Sequence, residues 1–321
     1  MTGKTRTPLL LSLVPLIAGI GLYFWLWNGW AADFAATLRP WLPGSSFSVT
    51  GFPYRMEANV TAPRWQGGDA VALTASADSA RINRGPWQPD LTVIASEGPR
   101  FAARISPALR VSITGGSAAS SVHSTGGRLV RLSNVIAQAN VQLGFLPAAL
   151  TADTLELHLR ERLGAAAPGS PTGPVRGQLV LAATHLRIGG GGPLALAADL
   201  AVTGPARLTA YDRWAASGTI EIASLTLSDA TGEVASGKAT LVPLGRTGFR
   251  LAGTVATVCP ASVAAALTGR PPVSERRLRA PVSLAFEGSH AGLTVTGVPA
   301  DLAMRATRGQ LPPCPVLRGN G

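Results

Sequence analysis

The sequence predicts an all-β, mainly antiparallel domain, an extended or curved sheet with a few short helices, preceded by one N-terminal transmembrane helix. Three observations predict it. The run Pro8 to Trp27 is apolar and uncharged over the ~20 residues that a helix needs to cross a bilayer core. From Phe47 onward, apolar residues alternate with polar or small ones in short runs bounded by Gly and Pro, the pattern of strands with one dry face. Charged residues make up 14% of the chain, against a typical ~25%, and abundant Ala, Gly, Pro, Thr and Ser suit strands and turns better than helical bundles.

Taken in order, residues 1–7 carry Lys4 and Arg6, and no further positive charge follows until Arg39. The positive-inside rule therefore places residues 1–7 in the cytoplasm, makes 8–27 the membrane anchor and exports the remainder. Tyr23, Trp25, Trp27 and Trp30 crowd the far end, where amphipathic rings favour the headgroup level. A cleavable signal is the competing reading, with Gly29 and Ala31 as small residues before the cut. Its apolar region is typically only ~7–15 residues, so a retained anchor is expected. Residues 28–44 are expected to form an amphipathic connecting helix, with Trp30, Phe34, Leu38 and Trp41 as a stripe and Pro40, Pro43 and Gly44 as its end. The stripe fits docking on the exported domain and lying on the membrane equally well.

The first β subdomain is expected over 45–163. Alternation marks strands at Met56 to Val60, Val71 to Ala77, Leu91 to Ala95, Phe101 to Ile105, Leu109 to Ile113, Arg128 to Leu132 and Leu155 to Leu159. Gly85-Pro86, Gly98-Pro99, Pro107, Gly115-Gly116 and Gly126-Gly127 read as the turns between them. The Pro-, Gly- and Ala-rich stretch 164–177 reads as a linker or long loop. A second β subdomain with a C-terminal tail follows over 178–321. Leu179 to Ile188 and Leu194 to Val202 flank the hairpin signal Gly189 to Gly192. Pro205 opens a short helix with Leu208, Tyr211 and Trp214, and Pro260 precedes another over Ala261 to Leu267. Strands are expected at Thr219 to Leu227, Gly237 to Val242, Phe249 to Val258, Ser283 to Phe286 and Leu293 to Val298, with a last one near Leu302 to Ala306.

Net charge is +11 and comes almost wholly from arginine. The arginines are scattered through strands and not gathered into a stripe with stacking aromatics, so nucleic acid is not an expected partner. One dense group, Arg270, Arg276, Arg277 and Arg279, reads either as a solvated surface or as a patch meeting anionic lipid or a protein partner. Cys259 and Cys314 have no CxxC spacing, which leaves open a disulfide holding the tail to the body and two small buried thiols. His123, His158, His185 and His290 have no partners at metal-ligand spacing. Gly288 to Gly292 has the wrong order for a nucleophile elbow, and carboxylates such as Asp153 with Glu156, or Asp212 with Glu221, form a pair only if the fold brings them together. Neither a cofactor nor a metal is predicted, and the chain is expected not to be an enzyme.

Gly51, Phe52, Pro53, Tyr54 and Arg55, soon after the apolar run, resemble the opening motif of the bacterial domain-of-unknown-function family 2125. Trp87 within GPWQPDLTVIA, and Trp214 before SGTIEIASLTLS and ASGKATLVPLGRTGFRLAGTV, resemble its later blocks. Departures are Ser217, where a second Gly is usual, and a turn LVPLGRTG without an acidic residue. The resemblance implies an envelope protein of Gram-negative bacteria, anchored in the inner membrane with a β-rich periplasmic domain, and lends no catalytic residues. Read physically, the GFPYR aromatics, Trp87 and Trp214 are expected as core anchors. The function expected from anchoring, aliphatic strands and excess Arg is that an apolar concavity binds or passes a lipid-like envelope component. The alternatives are a structural scaffold meeting another envelope protein, and an unrecognised hydrolase.

Overall fold

The computed structural model describes residues 7–126, 128–146, 148–161, 174–204, 210–300 and 311–319. Lys4, Arg6, most of the 164–177 stretch, Pro205 and Leu208 and the strand expected near 302–306 lie outside the described residues. Helix α1 (Thr7–Leu38) runs unbroken for 32 residues, so the expected span and connector are one rod of about 48 Å at 1.5 Å per residue. It is long and apolar enough to cross a membrane. Pro40 cannot continue it, and the chain turns through a 3-10 helix at Arg39–Trp41.

Among the described residues, eighteen strands then form one antiparallel sheet. They are β1 (Val49–Thr50), β2 (Met56–Thr61), β3 (Arg64–Gly67), β4 (Ala72–Ser76), β5 (Ser79–Arg84), β6 (Leu91–Glu97), β7 (Arg100–Arg104), β8 (Arg110–Thr114) and β9 (Ser117–Thr125). There follow β10 (Arg128–Leu143), β11 (Leu150–Glu161), β12 (Val175–Ile188), β13 (Leu194–Thr203), β14 (Thr219–Asp229), β15 (Gly232–Pro243), β16 (Phe249–Thr257), β17 (Val282–Ser289) and β18 (Gly292–Thr296). Short helices α2 (Tyr211–Ala215) and α3 (Pro260–Thr268) interrupt the second half. From β10 to β18 each strand pairs with the next. Either side of the 164–177 stretch, β11 and β12 pair from Leu150↔Ile188 to Glu161↔Gly177.

The first half holds a feature the alternation did not predict. Gly98-Pro99 and Gly115-Gly116 are not turns. They are steps inside long strands, so β6 continues into β7 and β8 into β9. Both β8 and β9 pair with the same edge of β10, β9 along Arg128–Ala137 and β8 along Asn140–Leu143. The Gly98 amide donates to Gly116 O, and the Gly116 amide to Ala137 O, carrying the ladder across the step. The same step recurs at Ala62 between β2 and β3, at Ala77 and Asp78 between β4 and β5, at Gln138 in β10 and at His185 in β12. Ala62, Gln138 and His185 all take positive φ, 47°, 53° and 51°. Across the step buried positions fall three apart, Ile136 and Ala139 in β10, Ala152 and Leu155 in β11, Ala183 and Leu186 in β12, while partner register is kept through it except between β12 and β13, where β12 carries one extra residue. At the fork itself a side chain has no room, since a Cβ on Gly115 would run into Ile136 and one on Gly116 into Gln138. The steps line up as a crease across the strands.

Among the described residues, three cores hold the sheet. The stripe of α1, now Trp27, Ala31, Phe34 and Leu38 with Leu42 beyond it, packs on Met56, Ala58, Val60 and Ile82. This settles the stripe's partner as the β domain and corrects its membership: Trp41 is exposed and meets the Trp65 ring at 5.2 Å, tilted by 34°. A second core joins Ile136, Leu155, Leu186 and Leu194 to Val255 and Leu284, with Val263 of α3 and Leu317 of the tail closing over them. The third gathers Tyr211 and Trp214 of α2 with Val202 and with Ile105 and Leu109 from the β7–β8 turn. Phe145, in the turn after β10, meets Phe249 at the start of β16 edge-on at 4.8 Å, so the meander curls back on itself.

Candidate functional site

Register sorts the two faces of the sheet by polarity. On one face Arg131, Arg160, Gln178, Ala201, Glu221 and Thr240 stand side by side across six strands. On the other, Leu132, Leu159, Leu179, Leu200 and Ile222 form a continuous row, each beside the next. A parallel row two residues on holds Leu157, Leu181, Ala198 and Leu225. All five residues of the first aliphatic row are half-buried. Among the described residues, none of the five belongs to any of the three cores.

That row lies on the face that α1 covers. The same register line runs Met56, Arg84, Thr92, Val122 and then Leu132. Met56 is buried beneath α1, while α2 covers Val202 and Ile220 farther along. The leucines of β10 to β13 therefore form a half-exposed aliphatic strip, or trough, between the parts of the face that α1 and α2 cover. Burying each such side chain stabilises by ~1.5–3 kcal/mol, and leaving a row of them half-exposed forgoes much of that.

Phe52 and Trp87 converge on the last turns of the apolar stretch of α1. Tyr23 donates its hydroxyl to Pro53 O at 2.6 Å and stacks on Trp87 at 6.0 Å. Phe52 contacts the rings of Phe24 at 5.3 Å and Trp27 at 5.6 Å, and Trp30 meets Trp87 at 5.5 Å. The expectation that these are core anchors is corrected for three of them: Phe52 is 40%, Trp87 71% and Tyr54 85% exposed. Arg55 pairs with Glu57 at 3.2 Å. The bend at Gly51 has φ +102°, and a Cβ there would strike Arg55 O. The motif thus builds an exposed aromatic collar where the apolar helix meets the domain, beside the start of β2 and the β5–β6 connection.

Trp214 is the core anchor expected of it, 2% exposed, with Nε1 donating to Thr203 O at 2.8 Å. Tyr211 donates to Gly245 O at 2.7 Å, and burial pushes its hydroxyl above the ordinary tyrosine value, aided by Asp212. Hydrogen bonds from Arg246, 2.8 and 2.7 Å long, hold Asp212 below the usual carboxylate value and raise Arg246 in turn. These contacts tie α2 to the β15–β16 turn.

The four clustered arginines do not share one surface. Arg270, Arg276 and Arg279 are exposed, whereas Arg277 is 7% exposed and pairs with Asp229 at 2.6 Å. Burial pushes Asp229 up, but hydrogen bonds from Thr231 and Arg277 outweigh it and hold the carboxyl below the usual range. Cys259 and Cys314 are joined by a disulfide that closes 55 residues of sequence and lashes the tail to α3. Glu275 secures the same corner by accepting from Ala261 N and Ser262 N at the start of α3.

His158 sits 3.3 Å from Glu156, and His185 2.8 Å from Asp153. Among the described residues no group of three metal-ligating side chains comes together. Gly288 to Gly292 spans the β17–β18 turn. A depression of about 720 Å³ beside edge strand β3 is lined by Arg64, Gln66, Thr74 and Ser76, and its Arg100 is taken up by Asp78 at 2.8 Å. The residue that sequence reading missed is Arg84, one arginine among many in the sequence, which register places on the apolar face.

Neither a curated protein nor a solved structure matches the chain. The family described as "Uncharacterized protein conserved in bacteria (DUF2125)" matches residues 44–311, from just after the 3-10 helix to beyond β18, and the chain belongs to that family.

Proposed function

We propose that the protein is a retained single-pass protein of the inner membrane. Its N-terminus faces the cytoplasm and its β domain lies in the periplasm, where the trough binds or passes a lipid-like component without catalysis. The observation that carries this reading is the uncovered aliphatic row on the face to which α1 is docked. From Leu132 to Ile222 the row makes four strand spacings, about 19 Å at ~4.8 Å each. One leaflet holds about 15 Å of acyl chain, half of a ~30 Å hydrocarbon core, so the row accommodates a tail. Retention of α1 is supported by Trp27 and Ala31, which belong to the β domain's own core; cleavage near Gly29 or Ala31 would remove part of it.

The test is photocrosslinking in intact cells from a photoreactive phenylalanine analogue placed at Leu159 or Leu179, with Val180, exposed on the opposite face, as control. A lipid adduct at the two leucines and not at Val180 is expected. A protein adduct at those leucines would favour the scaffold, and no lipid adduct at either would refute the trough.

A further inference from the structure

We propose that Arg84 is the headgroup site of this trough and that the ligand is an anionic glycerophospholipid, its phosphate on the guanidinium and its tails along the leucine row. The inference rests on the trough reading and names its ligand class.

Arg84 occupies the register line of that row, two strands from Val122 and three from Leu132. Its guanidinium carbon stands 4.7 Å from the ring centre of Phe34, so the docked helix forms one wall of the site. Its Nε and Nη2 both donate to the Thr92 hydroxyl, at 3.3 and 3.1 Å. Asp90 acts on it only through the longer-range field, and among the described residues no carboxylate lies within ion-pair distance of it. A half-buried arginine on an apolar face, held by one neutral hydroxyl and one ring, retains donors for an anion. Burial holds this guanidinium below the ordinary arginine value, Asp90 opposing, which fits a charge lacking its counter-ion. Ser120, which donates to Asn134 at 3.0 Å, lies on the same face one row farther in and adds a polar step between headgroup and tails. The aromatic collar places this end of the sheet at the headgroup level, where an anionic lipid is presented.

The experiment uses the full chain in a mild nonionic detergent, with phosphatidylglycerol and diacylglycerol carrying identical fluorescent tails. The wild type should take phosphatidylglycerol about tenfold more tightly, the scale of a charge-assisted hydrogen bond. Arg84→Gln should erase that preference and leave diacylglycerol binding unchanged, with amide exchange in β5 and β6 as the folding check. If those strands loosen, Arg84→Lys decides: it keeps the charge without the fork and should lose affinity several-fold. An unaltered preference in Arg84→Gln, or in Arg84→Lys where that variant decides, would refute the site and leave the trough standing. Binding of neither lipid by the wild type would refute both. Displacement of the lipid by millimolar inorganic phosphate would overturn the lipid assignment in favour of a free-anion site.

Discussion

Replacing Phe34 by alanine tests how firmly the membrane helix is built into the sheet. Phe34 is 1% exposed, in the middle of the docked stripe, and its ring also carries the Arg84 guanidinium. Removing a buried Phe ring costs about 3–5 kcal/mol, and losing a cation–π contact about 0.5–1 kcal/mol more. Met56, Ala58 and Val60 are at most 3% exposed and form the floor of that cavity, so relaxation by collapse is limited. We expect the docking of α1 to weaken by at least about 3 kcal/mol, which is over a hundredfold in an opening equilibrium. Strand β1 is only two residues long and pairs with β2 alone, so the loss should read out as faster amide exchange across residues 47–61. The control is Phe101→Ala, since Phe101 is 40% exposed in β7. Its loss should stay below about 1 kcal/mol. Equal costs for the two variants would show that α1 is not clamped by its stripe, and would refute the reasoning.

Cys314→Ser should free the tail: closing 55 residues accounts for roughly 4 kcal/mol on the chain-entropy account, and protease cleavage within 311–319 should accelerate while β10 to β13 stay protected. Unchanged cleavage would show that Glu275 and Leu317 suffice. For Asp229, the folded-state pKa lies below the unfolded one, so its contribution is complete above the unfolded value of about 4 and is lost as pH falls through the depressed value. The stability gap between wild type and Asp229→Asn in urea titrations should therefore narrow below about pH 4, and a gap independent of pH from 7 to 3 would contradict the pairing with Arg277.

Much of the fold was legible because a half-buried antiparallel strand writes its period directly into the chain. Leu155, Leu157 and Leu159 alternate with Glu156, His158 and Arg160, and register indeed places the two sets on opposite faces. Strands β5 and β9 were missed because SARINR and SAASSVHST carry little aliphatic signal; they are placed by their neighbours. The crease was illegible for a different reason: Gly98-Pro99 has the chemistry of a turn, and only pairing to the next strand distinguishes a step from a reversal. The collar was half legible. Phe52 and Trp87 stood out as motif residues, but their meeting with Tyr23 depends on how α1 lies across strands far apart in sequence. Arg84 carried no local signal, since its meaning comes from four register pairs.

The crease also determines which changes of chain length this protein can absorb. At the steps the spacing of buried positions lengthens from two residues to three, so one residue there sets the face of the side chains that follow. Deleting Gln138 alone would turn Ala139, Val141 and Leu143 outward and bring Asn140 and Gln142 in, while β8 and β11 kept their own phase. Insertions at the exposed β14–β15 tip, Ala230-Thr231, by contrast, leave every face unchanged. Lineages of this fold should therefore drift in length at strand tips and hold a fixed residue count from tip to crease, a constraint visible in gap positions even where no residue identity is shared.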